Sequence, residues 1–283
     1  MAVAKRIGVA FDGRAPLAAV AEQARLAEAH GAATLWMASH LFLHDPVTMA
    51  SVALNATQRI KVALMAMTPF AMHPVFIAMS AAALDELHPG RVILSLGAGA
   101  PGDLAAAGVS TPKPLASLRE SMAICRALFA GEALQHEGEV FRVAGRRLVN
   151  APRRIPVHLA ASGPQMLELA GAQADGVLIS AATAVPFIGW CLDNVARGAG
   201  TRRIERTAIV YTRVADDGAA AVASIRRNMG FILRGKHHAK NVELAGTKLD
   251  QTQLFDAYRD EDWPTVERLV TDEVVRAHAA AGT

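Results

Sequence analysis

Three short stretches of this sequence combine residue types from which a binding or reactive centre could be built. Ala160-Ala161-Ser162-Gly163-Pro164 ends an apolar run and opens a helical pattern at Pro164. The free amides and positive dipole end of that helix, with the Ser162 hydroxyl, suit a phosphate. An ordinary Ser/Gly helix cap is the simpler alternative. Gly97-Ala98-Gly99-Ala100-Pro101-Gly102 satisfies G-x-G-x-x-G, but Pro101 and Gly102 delay any helix, and Glu120 falls within a helical pattern rather than at a strand end. The glycines are therefore read as letting the backbone pass close to a flat ring or phosphate, with a tight turn alone as the alternative. His40, His44 and Asp45 have the spacing of a metal pair, yet they sit in a loop and no third ligand can be placed. His40 is read as a proton donor or cofactor neighbour, or as a polar pocket residue without catalytic duty.

These stretches need elements to hold them. Short apolar runs predict strands at 6–12, 34–39, 61–67, 91–96, 155–161, 175–180 and 207–214, and helix-period stretches lie at 15–30, 46–56, 74–87, 115–129, 164–174, 186–197 and from 217 onward. Continuously apolar strands separated by helices indicate a parallel sheet covered on both faces, hence the α/β class. Asp45-Pro46, His73-Pro74 and Gly163-Pro164 each place proline at a first helical position. The segment 136–150 alternates about Ala144-Gly145 and reads as an inserted, peripheral hairpin. In parallel α/β folds the strand C-termini carry the chemistry. Here those ends offer Asp12, Ser39-His40, Met67-Thr68, Gly97 to Gly99, Ala161 to Gly163 and Ser180. Without a strand-end lysine and with Asp12 as the lone carboxylate there, Schiff-base and divalent-metal chemistry fit poorly, and no metal is expected. So few reactive side chains imply that an organic cofactor supplies the reactivity.

Composition bounds the remaining choices. The chain has 283 residues, 52% hydrophobic and 19% charged, against about 250 residues in a typical (β/α)₈ barrel. Its net charge of +3 is scattered and no aromatic platform accompanies it, which excludes nucleic acid as the expected partner. Residues 62–84 lack Asp, Glu, Lys and Arg, but Pro69, His73 and Pro74 interrupt them, so the membrane reading is rejected. Two cysteines within helical patterns and no signal-peptide apolar region point to the cytoplasm. No linker or repeat divides the chain, so residues 1–283 read as one domain. An open doubly wound sheet is the alternative architecture.

Taken together, AEQARLAEAHGAATLWMASHLFLHDP, QRIKVALMAMTPFAMHPVFIAMSAAALDELHPGRVILSLGAGAPGD, LRESMAICRALFAGEALQHEGEVFRV and IPVHLAASGPQMLELAGAQADGVLIS cover most of residues 1–180. They resemble the luciferase-like monooxygenase superfamily, in particular its coenzyme F420-dependent oxidoreductases. The resemblance implies a TIM-like (β/α)₈ barrel, commonly a homodimer, acting on a small molecule with F420 or alternatively FMN. It implies that Ala66, Met67 and Thr68 line the cofactor ring, with a bulge or cis peptide after the third strand. By the same resemblance Gly97 and Gly99 pass close to it, Ala160, Ala161, Ser162, Gly163 and Pro164 grip its phosphate with Met166 nearby, and His40 lies near the reactive carbon. Ser39 stands where the family often has an acid, and His44 and Ala100 replace a tryptophan and a glutamate of some members. These departures turn the expectation away from sugar-phosphate dehydrogenases and toward a hydride-transferring reductase of the methylenetetrahydromethanopterin-reductase type. A two-component FMN monooxygenase and a non-catalytic flavin-binding barrel or subunit are the alternatives.

Residues 181–283 match less well, and the closing TDEVVRAHAAAGT resembles the segment leading into a last helix and strand. Seven strands are therefore expected, with the final β/α unit missing.

Overall fold

The computed structural model describes residues 7–179 and 182–283. Arg6 and Ser180, read above as strand ends, lie outside the described residues. The strands are β1 (Gly8–Phe11), β2 (Thr34–Ala38), β3 (Lys61–Met67), β4 (Val92–Leu96), β5 (Leu134–Glu137), β6 (Arg142–Arg146), β7 (Val157–Ala161), β8 (Gly176–Ile179), β9 (Glu205–Ala208), β10 (Tyr211–Val214) and β11 (Ala279–Gly282). Seven of them form one sheet in the order β1-β2-β3-β4-β7-β8-β9. The pairings from β1–β2 to β4–β7 are parallel. The order follows the chain without reversing, so there is no switch point of the kind a doubly wound sheet requires. The expected class and strand count hold for this sheet.

Proline and side-chain caps set the helix starts. In α1 (Leu17–Ala29) Val20 and Ala24 are buried. At α2 (Pro46–Ala56) the Asp45 carboxylate accepts from the Thr48 N–H, and at α3 (Pro74–Leu87) His73 Nδ1 accepts from the Val75 N–H. The uncharged run 62–84 thus divides into β3, a loop and α3. Among the described residues no helix is long and apolar enough to cross a membrane. After β4 come the short α4 (Pro101–Ala106) and the long α5 (Pro114–Ala130). β7 leads into α6 (Pro164–Gln173), and β8 precedes α7 (Val185–Ala199).

The chain divides into two compact units, residues 1–160 with 173–177, and residues 161–172 with 178–283. In the first, the N-terminal parts of the strands are filled by two rings, Trp36 and His158, whose centroids are 6.2 Å apart. Glycines make room for them. A Cβ on Gly8 would lie 2.7 Å from Trp36 Nε1, and one on Gly176 would lie 2.7 Å from two atoms of the His158 ring. Two glutamates tie turns to this unit. Glu28 accepts from the N–H groups of Gln58, Arg59 and Ile60, and Glu120 from those of Glu139, Val140 and Phe141. Burial alone would raise both carboxyls, but these amide bonds outweigh it and hold them below the ordinary value. Cys125 is buried in α5 and its thiol is pushed up to about 12 by desolvation.

The 136–150 hairpin is present but turns elsewhere. β5 and β6 pair antiparallel about Gly138 to Phe141, where the amides meet Glu120. Gly145, with φ +64°, sits where the register shifts, so it is a bulge in the second strand and not the turn.

The second unit is mainly helical after α7. It contains α8 (Gly218–Leu233), a 3-10 turn (Lys236–His238), α9 (Ala239–Ala245), α10 (Gln251–Arg259), α11 (Trp263–Leu269) and α12 (Asp272–His278). Val222, Met229 and Leu233 of α8 pack with Leu254, Val266 and Val275 in its core. Cys191 of α7 is buried, its thiol also pushed up to about 12 by burial. The expected strand 207–214 is broken into β9 and β10, because the Ile209 N–H bonds to Ile179 O and β10 instead pairs with the distant β11. The last residues therefore add a parallel two-stranded ladder apart from the seven-stranded sheet.

Candidate functional site

In the first unit the strand C-termini bring most of the expected residues together. The Met65–Ala66 peptide is cis, and the β3–β4 register shifts between Leu64 and Met67, slightly earlier than the expected position after the strand. Ala66 is half-buried between buried neighbours. A Cβ placed on Gly97 of the next strand end would lie 2.8 Å from the Ala66 Cβ and 3.3 Å from the Ala160 Cβ. Three adjacent strand ends thus meet through two methyl groups and a hydrogen, none of the three having a side chain beyond Cβ. Met67 is buried and contributes backbone, its carbonyl accepting from the Gly97 N–H. Thr68 and Gly99 form the adjoining edge. Gly99 has φ +80°, and a Cβ there would lie 2.9 Å from Leu104 and 3.3 Å from the Thr68 Oγ1.

His40 follows β2, and the chain before it is fixed by the Ser39 N–H bonding to Met65 O. Its Nδ1 lies 3.4 Å from the Asp103 carboxylate, with both side chains partly exposed. Asp103 lies in the first turn of α4, just past the glycine stretch. Sequence reading missed it, having sought an acid beside the histidine at Ser39. The signal was present in Pro101-Gly102-Asp103, since an acid in a first helical turn after a strand-end loop faces the strand-end side. His44 and Asp45 do not join His40. The His44 N–H bonds to Gly13 O, and the Asp45 carboxylate is occupied by the Thr48 amide and hydroxyl at 2.6 and 2.7 Å. Among the described residues no cluster of three metal-ligating side chains occurs.

The remaining expected residues lie in the second unit, on the continuation of β7. Ala161 is buried, Ser162 and Met166 are half-buried, and Gly163 and Pro164 are exposed. The Leu167 N–H bonds to Gly163 O, so the amides before it form the unpaired first turn of α6. Nothing lies within 4 Å of a Cβ built on Gly163. This is an open helix N-terminus with a hydroxyl beside it, able to take an anion. In the first unit, the strand ends bare of side chains beyond Cβ suit by themselves the face of a planar group such as a flavin or deazaflavin ring.

The chain is similar to known proteins over most of its length. A family model described as luciferase-like monooxygenase matches residues 2–283. The 5,10-methylenetetrahydromethanopterin reductase of Archaeoglobus fulgidus is 29% identical over 269 residues, which cover 92% of this chain and 80% of that protein. The enzyme of the same name from Methanolobus tindarius is 30% identical over 233 residues, 81% of this chain and 71% of the relative. Among solved structures, the coenzyme F420 dependent tetrahydromethanopterin reductase of Methanopyrus kandleri superposes with a TM-score of 0.89 at 22% identity, covering 98% of this chain and 86% of that one.

Proposed function

Because the chain belongs to the luciferase-like monooxygenase family, we propose that it is an oxidoreductase using coenzyme F420 to pass hydride to or from a small organic substrate. The observation that carries this is the meeting of Ala66, Gly97 and Ala160, three strand ends with no side chain beyond Cβ, where a larger side chain on Gly97 would collide with its neighbours. Relatives named as F420-dependent dehydrogenases, such as the one from Rhodococcus erythropolis at 31% identity over 194 residues, support F420 over FMN. When bound, the deazaflavin supplies the two-electron donor or acceptor. The protein's part is to hold the ring and move the accompanying proton. Nδ1 of His40 faces Asp103, so a neutral imidazole carries its proton on Nδ1 and leaves Nε2 to take one from, or once protonated give one to, the substrate. The α6 amides and Ser162 would receive the cofactor phosphate.

Equilibrium titration with F420 and with FMN tests the cofactor, and failure to bind either would sink the proposal. Gly163→Phe sharpens it. Space around Gly163 lets the variant fold, while screening of the α6 amides should weaken F420 binding at least about tenfold, the worth of one or two charge-assisted hydrogen bonds.

The two units act in this reading as one functional domain, supported by a single family model spanning them. A homodimer is supported by an exposed uncharged stripe on α3, Phe76, Met79, Ala83 and Leu87. Light scattering on Phe76→Glu should then find the monomer. Free, buried cysteines support a cytoplasmic location.

A further inference from the structure

The loop carrying His40 holds a second unusual residue. Phe42 has φ +67° and is 74% exposed. A bulky side chain in the left-handed region is unfavourable for the backbone, and an aromatic ring left in water forgoes burial. With 74% of the residue's surface in solvent, packing offsets little of either cost. The surrounding chain imposes the conformation. Before the loop, the Ser39 N–H is tied to Met65 O; within it, the Leu43 N–H bonds to His40 O; after it, the His44 N–H is tied to Gly13 O. Gly13, itself at φ +84°, keeps that last contact close, with Leu43 Cβ 3.3 Å from where its own Cβ would stand. Both ends of the loop are thus pinned to neighbouring strand ends, and Phe42 is presented at its apex, two residues from the proposed proton-transfer group.

The chemistry of the adjacent loops says what such a ring would meet. No lysine or arginine occurs in 39–45, 68–73 or 97–100, the segments that follow β2, β3 and β4. These three segments therefore carry no permanent cation, and Arg14, in the loop after β1, is exposed. They offer Phe42, Leu41, Leu43 and Phe70 instead. We propose that Phe42 is a specificity-determining residue of the hydride-transfer site, retained against its backbone cost because its exposed ring packs on a flat, apolar ring of the substrate. This rests on the cofactor reading above.

The proposal separates stability from binding, because glycine is at ease at this φ whereas alanine is not. The experiment compares Phe42→Gly, Phe42→Ala and the unaltered protein, with menadione as a flat apolar probe. Phe42→Gly should raise the melting temperature by about 2 °C, as relief of left-handed strain in a chain of this size would. Both variants should bind menadione about tenfold more weakly when loaded with oxidised F420, as truncation of an aromatic anchor does, read from quenching of deazaflavin fluorescence. Affinity for F420 itself should stay within about twofold, since Phe42 is not assigned to the cofactor. Unchanged menadione affinity in both variants, no menadione binding by the unaltered F420-loaded protein, or a lower melting temperature for Phe42→Gly would each overturn this assignment alone. Failure of the unaltered protein to bind F420 would overturn the cofactor reading and this one with it.

Discussion

At the N-terminal ends of the strands in the first unit, Gly8 and Gly176 lie against the rings of Trp36 and His158, whereas at the C-terminal ends Gly97 lies against the methyl groups of Ala66 and Ala160. The missing side chain has opposite uses in the two places. Against the rings, glycine admits bulk from a neighbour and the space is filled, which is packing. Against the methyl groups no ring enters, and the strand ends stay bare of long side chains, as the proposed cofactor site requires. Glycine count alone would not distinguish these ends; the neighbours do.

The largest effect is expected at the packed end. Gly176→Ala would set a methyl 2.7 Å from the buried His158 ring, and such overpacking should cost about 2 kcal/mol in denaturant unfolding. A cost near zero would mean that the ring does not fill this space. At the bare end, Gly97→Ala should instead act on the cofactor, weakening F420 binding about tenfold. Adding Ala66→Gly removes the methyl nearest the intruding one and should restore much of that affinity, so the two changes should be non-additive. Additive losses would deny that the two residues share one surface.

A smaller effect is expected from Asp103→Asn. Its pairing with His40 is partly exposed and should contribute little to stability. Steady-state turnover should fall several-fold, with a changed pH–rate profile, because the amide orients the imidazole less well. An unaltered profile would leave Asp103 outside the reaction. The least effect is reserved for the periphery. Glu28 and Glu120 have lowered pKa values when folded, so their stabilisation is present above the ordinary carboxylate range and is lost as pH falls through their folded values. Glu120→Gln should flatten the acid limb of the stability–pH curve, while binding at the bare end is untouched.

Much of this was legible from residues alone, and the reasons are local. Pro46 and Pro74 fix the starts of α2 and α3, and the apolar run Lys61–Met67 is β3 as read. The small residues Ala66, Gly97 and Ala160 could each be singled out, but not their meeting, which depends on the register of three strands. What failed to show was non-local. β10 and β11 pair although Tyr211 and Ala279 are far apart in the chain, and an Ala-Ala-Ala-Gly segment has little intrinsic strand preference to reveal it. Gly145 read as a turn because bulge and turn ask for the same backbone conformation. Asp103 reaches His40 from another loop, a relation that spacing along the chain does not encode.

The two cysteines have a practical consequence. Cys125 and Cys191 are buried, and with thiols pushed up to about 12 they carry almost no thiolate at neutral pH. Maleimide reagents should therefore ignore the native protein, and a cysteine added at Phe42 or at exposed Val149 would be the one label site for fluorophores or spin probes, with no prior removal of native thiols.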